Sequence, residues 1–207
     1  MEFADKNELE KGTSNLAIAA ATIPLIARLK KEPAKKQKLK DNWVLEFILL
    51  SLAAFIGSIV HSFKLPQKIN GIVWGVLYAI EFELVRRLHQ ILSDMDDGYK
   101  PSDTEFLIIL IAEISLYIPA TIIRLFTGKN TFSFFIAYSA IVAVLLGKLV
   151  AKQQANNSTK SFVESIVCLL MAVFSQVAIK DKGATIAHIF IVTSLLPLSN
   201  AAKYSFN

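Results

Sequence analysis

The run EFLIILIAEISLYIPATIIRLFT, Glu105–Thr127, holds only three charged residues, Glu105, Glu113 and Arg124. A helix needs roughly 20 mainly apolar residues to cross the hydrocarbon core of a bilayer. Lipid offers the backbone no hydrogen-bonding partners, so a run of this length is satisfied only as a helix. Barrel strands are about half as long and alternate in polarity, and this run does not alternate. Working outward, similar runs recur at about 42–63, 69–88, 131–151, 160–179 and 183–203. A shorter, Ala-rich run lies at 14–30. The reading is a seven-helix membrane bundle, with six spans if 14–30 instead lies on the surface as an amphipathic helix. Pro24, Pro119 and Pro197 fall inside runs. Each removes a backbone donor, which neighbouring helices tolerate.

Composition agrees. The chain has 207 residues, 54% hydrophobic and 19% charged, with a mean hydropathy of +0.48. Soluble domains are nearer a quarter charged. Such a chain excludes disorder, a disulfide scaffold and almost any soluble enzyme of this length. The single Cys168 forms neither an internal disulfide nor a CxxC metal site. No cleavable signal peptide is expected, because the first dozen residues include Glu2, Asp5, Glu8 and Glu10 and lack a basic stretch before an apolar core. Residues 1–207 therefore read as one integral membrane domain of the all-α class.

The net charge of +5 comes from basic residues placed between apolar runs. They read as topology signals and anionic-lipid contacts, not as a nucleic-acid site. The clearest cluster is Arg28, Lys30, Lys31, Lys35, Lys36, Lys38 and Lys40. Counted on alternate sides of seven spans, the side with this cluster carries 14 basic residues and the other side 8. Basic excess marks the cytoplasmic side, so the N-terminus is expected outside and the C-terminus inside. The longest loop, about 89–104, leaves no room for a soluble domain. Short loops and the lack of an organelle signal suggest a bacterial inner membrane.

Ionisable groups inside spans are the functional candidates of a membrane protein. His61 ends the second span and His188 lies about a turn and a half into the last. With seven spans, both sit at similar depth near the outer surface, either as a shared polar or metal site or as two interfacial histidines. His89 reads as a solvated residue at the inner end of the third span. Trp74, Tyr78 and Glu81 share one helical face. Glu83 points about 200° away by the helical period and is placed to pair with Arg86 or Arg87. Glu81 has no local partner. Glu113 is the deepest carboxylate, either buried neutral against a Ser or Tyr or acting in a proton relay or substrate contact. Glu46, Glu164 and Arg124 read as anchors that reach water or headgroups. Ser58, Asn70, Ser115, Tyr117, Gln176 and Thr185 read as interhelical hydrogen-bond formers. No phosphate loop, HExxH or GxSxG sequence occurs. Neither half shows an obvious inverted repeat.

The stretch Ala53–His61, AAFIGSIVH, together with the last-span GATIAHIF, resembles the alkaline ceramidase and adiponectin-receptor superfamily. Its members are seven-helix membrane proteins, many of them zinc-dependent amide hydrolases acting on lipids. The resemblance implies a zinc held by His61 and His188, with Ser58 near the second-span Ser position, which here is Gly57. The family's early third-span acid has no counterpart, since that region offers Asn70, and the second last-span His is replaced by Ala184 or Val192. Two functional readings follow. One is a hydrolase-like or lipid-interacting protein, in which His61 and His188 line an outward-facing pocket for a lipid or small molecule. The other is a non-enzymatic membrane protein, a transport or channel component or a partner-binding helper, that relies on Glu113 and Glu81.

Overall fold

The computed structural model describes residues 2–95, 101–152, 157–179 and 183–207, without the side chains of Lys152, Val173, Gln176, Val177, Ala178, Ala184 and Thr185. Gln176 and Thr185 thus lie outside the described residues. Seven helices form among the described residues: α1 (Lys6–Lys31), α2 (Gln37–Ser62), α3 (Gln67–Met95), α4 (Asp103–Thr127), α5 (Phe132–Lys152), α6 (Asn157–Ala178) and α7 (Gly183–Phe206). Each overlaps one of the seven apolar runs. A short ribbon pairs β1 (Glu2–Phe3) with β2 (Phe63–Lys64).

Among the described residues, five helices are long and apolar enough to cross a membrane: α1, α2, α4, α5 up to Ala151, and α7 from Ile186. In α3 the charges of Glu81, Glu83, Arg86 and Arg87 dilute the apolar run. The helix at 14–30 starts earlier than its apolar run does. Asp5 caps it by accepting a hydrogen bond from the Glu8 backbone N–H at 3.0 Å, which satisfies one of the orphan donors at a helix start. Glu8 and Lys11 are therefore helical residues. At the end of α4, Gly128 adopts φ +67° and its N–H bonds the Arg124 carbonyl at 2.9 Å, a left-handed terminus that favours glycine.

Contacts group the helices into two compact units, one of α3, α4 and α5, the other of α1, α2, α6 and α7. In the four-helix unit, α1 packs on α2 through Gly12 and Gly57. A Cβ on Gly57 would stand 3.1 Å from Asn15, and one on Gly12 would stand 3.1 Å from the Ser58 carbonyl. Ile18 and Ala19 of α1 meet Ala54 of α2 and Ile191 of α7 in a small core. Ser158 and Ser165 of α6 hydrogen-bond the carbonyls of Ala201 and Ser194 on α7, so these two helices run antiparallel. At one end Trp43 donates to Ser205 at 2.9 Å. There too the Lys35 and Lys36 N–H groups meet the Phe206 carbonyl at 2.8 and 3.1 Å.

In the three-helix unit, α3 and α4 approach through Gly71 and Gly75. Cβ atoms there would come within 2.7 Å of Leu125 Cα and 2.9 Å of Thr121 Cγ2. Small residues four apart that let two backbones close up are a familiar device of membrane helices. Phe82 is the hub: it stacks on Tyr138 of α5 at 4.5 Å and contacts Tyr117 of α4 at 5.8 Å. The opposite face of α4 presents Leu107, Ile111, Ile114, Ile118 and Ile122, all exposed. That stripe repeats at helical spacing and is compatible with contact with lipid.

Candidate functional site

Two polar constellations form, one in each unit. In the four-helix unit, the first turns of α1 lie beside the last turn of α2 and the first of α7. His61 Nδ1 lies 2.6 Å from Glu8 Oε2, and Lys11 pairs with the other oxygen of the same carboxylate. His188 Nδ1 lies 2.5 Å from Ser14 Oγ, and that hydroxyl also bonds the Lys11 carbonyl at 2.9 Å. A hydroxyl has one hydrogen. With it donated to Lys11, Ser14 accepts from the Nδ1–H of His188, which leaves the ring's lone pair on Nε2. His61 and Lys11 lie within electrostatic reach of His188. Glu8 precedes the apolar 14–30 run. Burial pushes its carboxyl up, but hydrogen bonds from Lys11 and His61, reinforced by their charges, outweigh that and hold it below its ordinary range.

A catalytic zinc takes three protein ligands and a water. Among the described residues, no three His, Cys, Asp or Glu side chains stand close enough to hold a metal ion. The Nδ1 atoms of His61 and His188 face a carboxylate and a hydroxyl, and Ser58 bonds the Phe55 carbonyl of its own helix at 2.7 Å.

In the three-helix unit, the Arg86 guanidinium meets Glu83 through two hydrogen bonds of 2.7 Å each, the strong bidentate form. The i, i+3 spacing made that pair readable. The Glu113 carboxylate of α4 stands 3.9 Å from Arg86 Nε, so it has a cationic partner where the sequence suggested only a Ser or Tyr. Arg87 lies 4.0 Å from Glu83. The Tyr138 hydroxyl is buried with no hydrogen-bond partner among the described residues, within reach of the charges on Glu113, Arg86 and Glu83. One oxygen of Glu81 is likewise buried and unbonded. Further along, Thr131 donates to the Tyr78 hydroxyl at 3.3 Å. Arg124 bonds Asn70 at 3.4 Å and lies 4.4 Å over the Trp74 ring, a cation–π arrangement. At the opposite end Lys148 faces Glu105 at 3.8 Å. From Asn70 to Arg86 this ladder of polar groups covers about 24 Å at helical rise.

Two surface expectations fail. His89 is fully buried, with its ring edge-on to Phe106 at 5.6 Å, because α3 continues to Met95 and keeps position 89 inside a helix. Glu46 is also buried. It lies between Trp43 and Phe47 on the packed face of α2.

Sequence reasoning placed His61 and His188 near one another in depth but missed Glu8, Lys11 and Ser14, which lie ahead of or at the start of the apolar run. An Asp followed three positions later by Glu is a cap signal that would have extended the helix to reach them.

The profile of a family of unknown function, DUF6962, matches residues 12–203. The chain belongs to the DUF6962 family. Comparison with curated proteins and with solved structures finds no match. The matched range includes Ser14, His61, His188 and the whole α3–α5 ladder; Glu8 and Lys11 precede it.

Proposed function

We propose that this DUF6962 protein is a polytopic membrane protein that passes protons along the polar ladder of α3, α4 and α5. The observation that carries the reading is Arg86, held between Glu83 on its own helix and Glu113 on the next. Charged groups within spans are expensive and mark ion and proton paths. Here two carboxylates and one guanidinium share a site, so one acid can gain or lose a proton while the other keeps the cation paired. Tyr138, Glu81 and the Tyr78–Thr131 pair continue the ladder. Each hop moves one proton from a carboxyl or hydroxyl to the next acceptor. The frame for this reading is seven spans in a bacterial inner membrane, with the N-terminus outside. Basic excess on one side and short loops support that frame.

The test is proton flux into proteoliposomes holding a pH-sensitive dye, driven by an imposed membrane potential. Wild-type protein is expected to exceed empty vesicles, and Glu113→Gln to lower the flux by an order of magnitude. Wild-type flux equal to that of empty vesicles overturns the reading. The resemblance to zinc-dependent lipid amide hydrolases leads to a different result. On the proton reading, detergent-purified protein carries no stoichiometric zinc. A full equivalent, lost in both His61→Ala and His188→Ala, reverses the choice in favour of an outward-facing hydrolase site.

A further inference from the structure

The end of α1 remote from the histidines carries a second feature. A shallow surface cavity of about 570 Å³, open along one side, lies there, lined by Pro24, Ala27, Arg28, Lys31 and Glu32. Its apolar floor, Pro24 and Ala27, continues into an exposed face of α1 formed by Ile23, Ala20 and Leu16. Pro24 has no N–H to offer the Ala20 carbonyl, so that carbonyl is left without its helical partner. The rim is cationic. Its one acid, Glu32, is engaged by Lys203 at 2.9 Å and stands 3.8 Å from Arg28. Lys31 is exposed and has no ion pair among the described residues.

The rim is also held in place. Lys40 donates to the carbonyls of Lys30 and Glu32 at 3.0 and 2.6 Å, satisfying carbonyls that a helix end leaves orphaned. The following turn is tied to α7 through Phe206. Lys30, Lys35 and Lys38 stand exposed around it. An occupant that fits is anionic at one end and apolar along its length.

We propose that this cavity seats an anionic phospholipid, its phosphodiester between Arg28 and Lys31 and one acyl chain along Ala27, Pro24, Ile23 and Ala20. A free phosphate satisfies the rim but leaves the apolar floor uncovered, so the lipid is the assigned occupant. The inference rests on α1 spanning the bilayer, as in the seven-span reading, and is independent of proton passage in the other unit.

The experiment uses detergent-purified full-length protein with added phosphatidylglycerol, phosphatidylcholine or inorganic phosphate. Retained lipid is counted by native mass spectrometry and thermal unfolding is followed in parallel. Phosphatidylglycerol is expected to be retained and to raise the Tm, phosphatidylcholine to do so weakly, and phosphate not at all. A basic residue near a membrane surface contributes about fivefold to anionic-lipid affinity. Lys31→Gln should therefore weaken retention about fivefold, and Arg28→Gln with Lys31→Gln about 25-fold. Lys31 is exposed, so its variant tests the site without disturbing packing. The control, Lys64→Gln with Lys68→Gln, should bind as wild type does. Equal retention of both lipids, an equal Tm rise with phosphate alone, wild-type binding by Lys31→Gln, or an equal loss in the control each overturns the proposal. Lys6→Cys in a Cys168→Ala background reports the topology of α1 separately.

Discussion

His61 and Glu8 are 53 positions apart in the chain and 2.6 Å apart in space. The contact ties the start of α1 to the end of α2. Because the Glu8 carboxyl is held below its ordinary range, its contribution to stability is present above the unfolded-state value, near 4.5. It is lost as pH falls through the lower folded-state value. Thermal unfolding in detergent should therefore show an acid-side loss of Tm below about pH 4.5. In Glu8→Gln that loss should be smaller and the Tm at neutral pH lower. An unchanged acid limb in the variant would show that the pair contributes nothing. At this scale the sequence was readable only where partners are local. Glu83 and Arg86 are one turn apart, and their pair follows from spacing alone. Glu113 with Arg86, and His188 with Ser14, depend on which helices become neighbours, and hydropathy does not carry that information.

The helices themselves were legible because lipid-scale apolar runs specify helix, but not its ends: α1 starts at Lys6 and α3 continues to Met95. What decides their closeness is smaller. In the α3–α4 pair, a Cβ on Gly71 would lie 2.7 Å from the Leu125 backbone, whereas one on Gly147 of α5 would meet nothing within 4 Å. The two glycines should therefore respond in opposite directions. Gly71→Ala forces backbones apart and should cost about 1–3 kcal/mol, the usual range for overpacking. Gly147→Ala relieves the conformational cost of a mid-helix glycine and should gain up to about 1 kcal/mol. Unfolding both variants in one detergent checks the contrast, and equal effects would refute close packing at Gly71. The GxxxG spacing of Gly71 and Gly75 is visible in the sequence, but spacing alone does not say which helix is the partner.

For the whole molecule the open physical variable is which end of each helix faces the cytoplasm. Within the four-helix unit, α1 runs parallel to α7, because His188 meets Ser14 near their starts and Phe206 meets Lys35 and Lys36 beyond their ends. α2 runs antiparallel to both. Within the three-helix unit, α4 opposes α3 and α5 parallels it. These are the directions that short loops impose on consecutive helices. On the seven-span reading proposed above, basic excess predicts the orientation with the Arg28–Lys40 cluster inside. The lone Cys168 makes this testable once it is replaced by Ala. In intact cells a membrane-impermeant maleimide should label Lys6→Cys and Lys129→Cys, and it should reach Lys35→Cys only after permeabilisation. Labelling of position 129 but not 6 would place α1 on the inner surface and leave six spans. The reverse of the whole pattern would invert the chain. Glu113 and Arg86 would then lie nearer the outer leaflet, where the negative potential of cytoplasmic lipids does not help to hold an arginine in place.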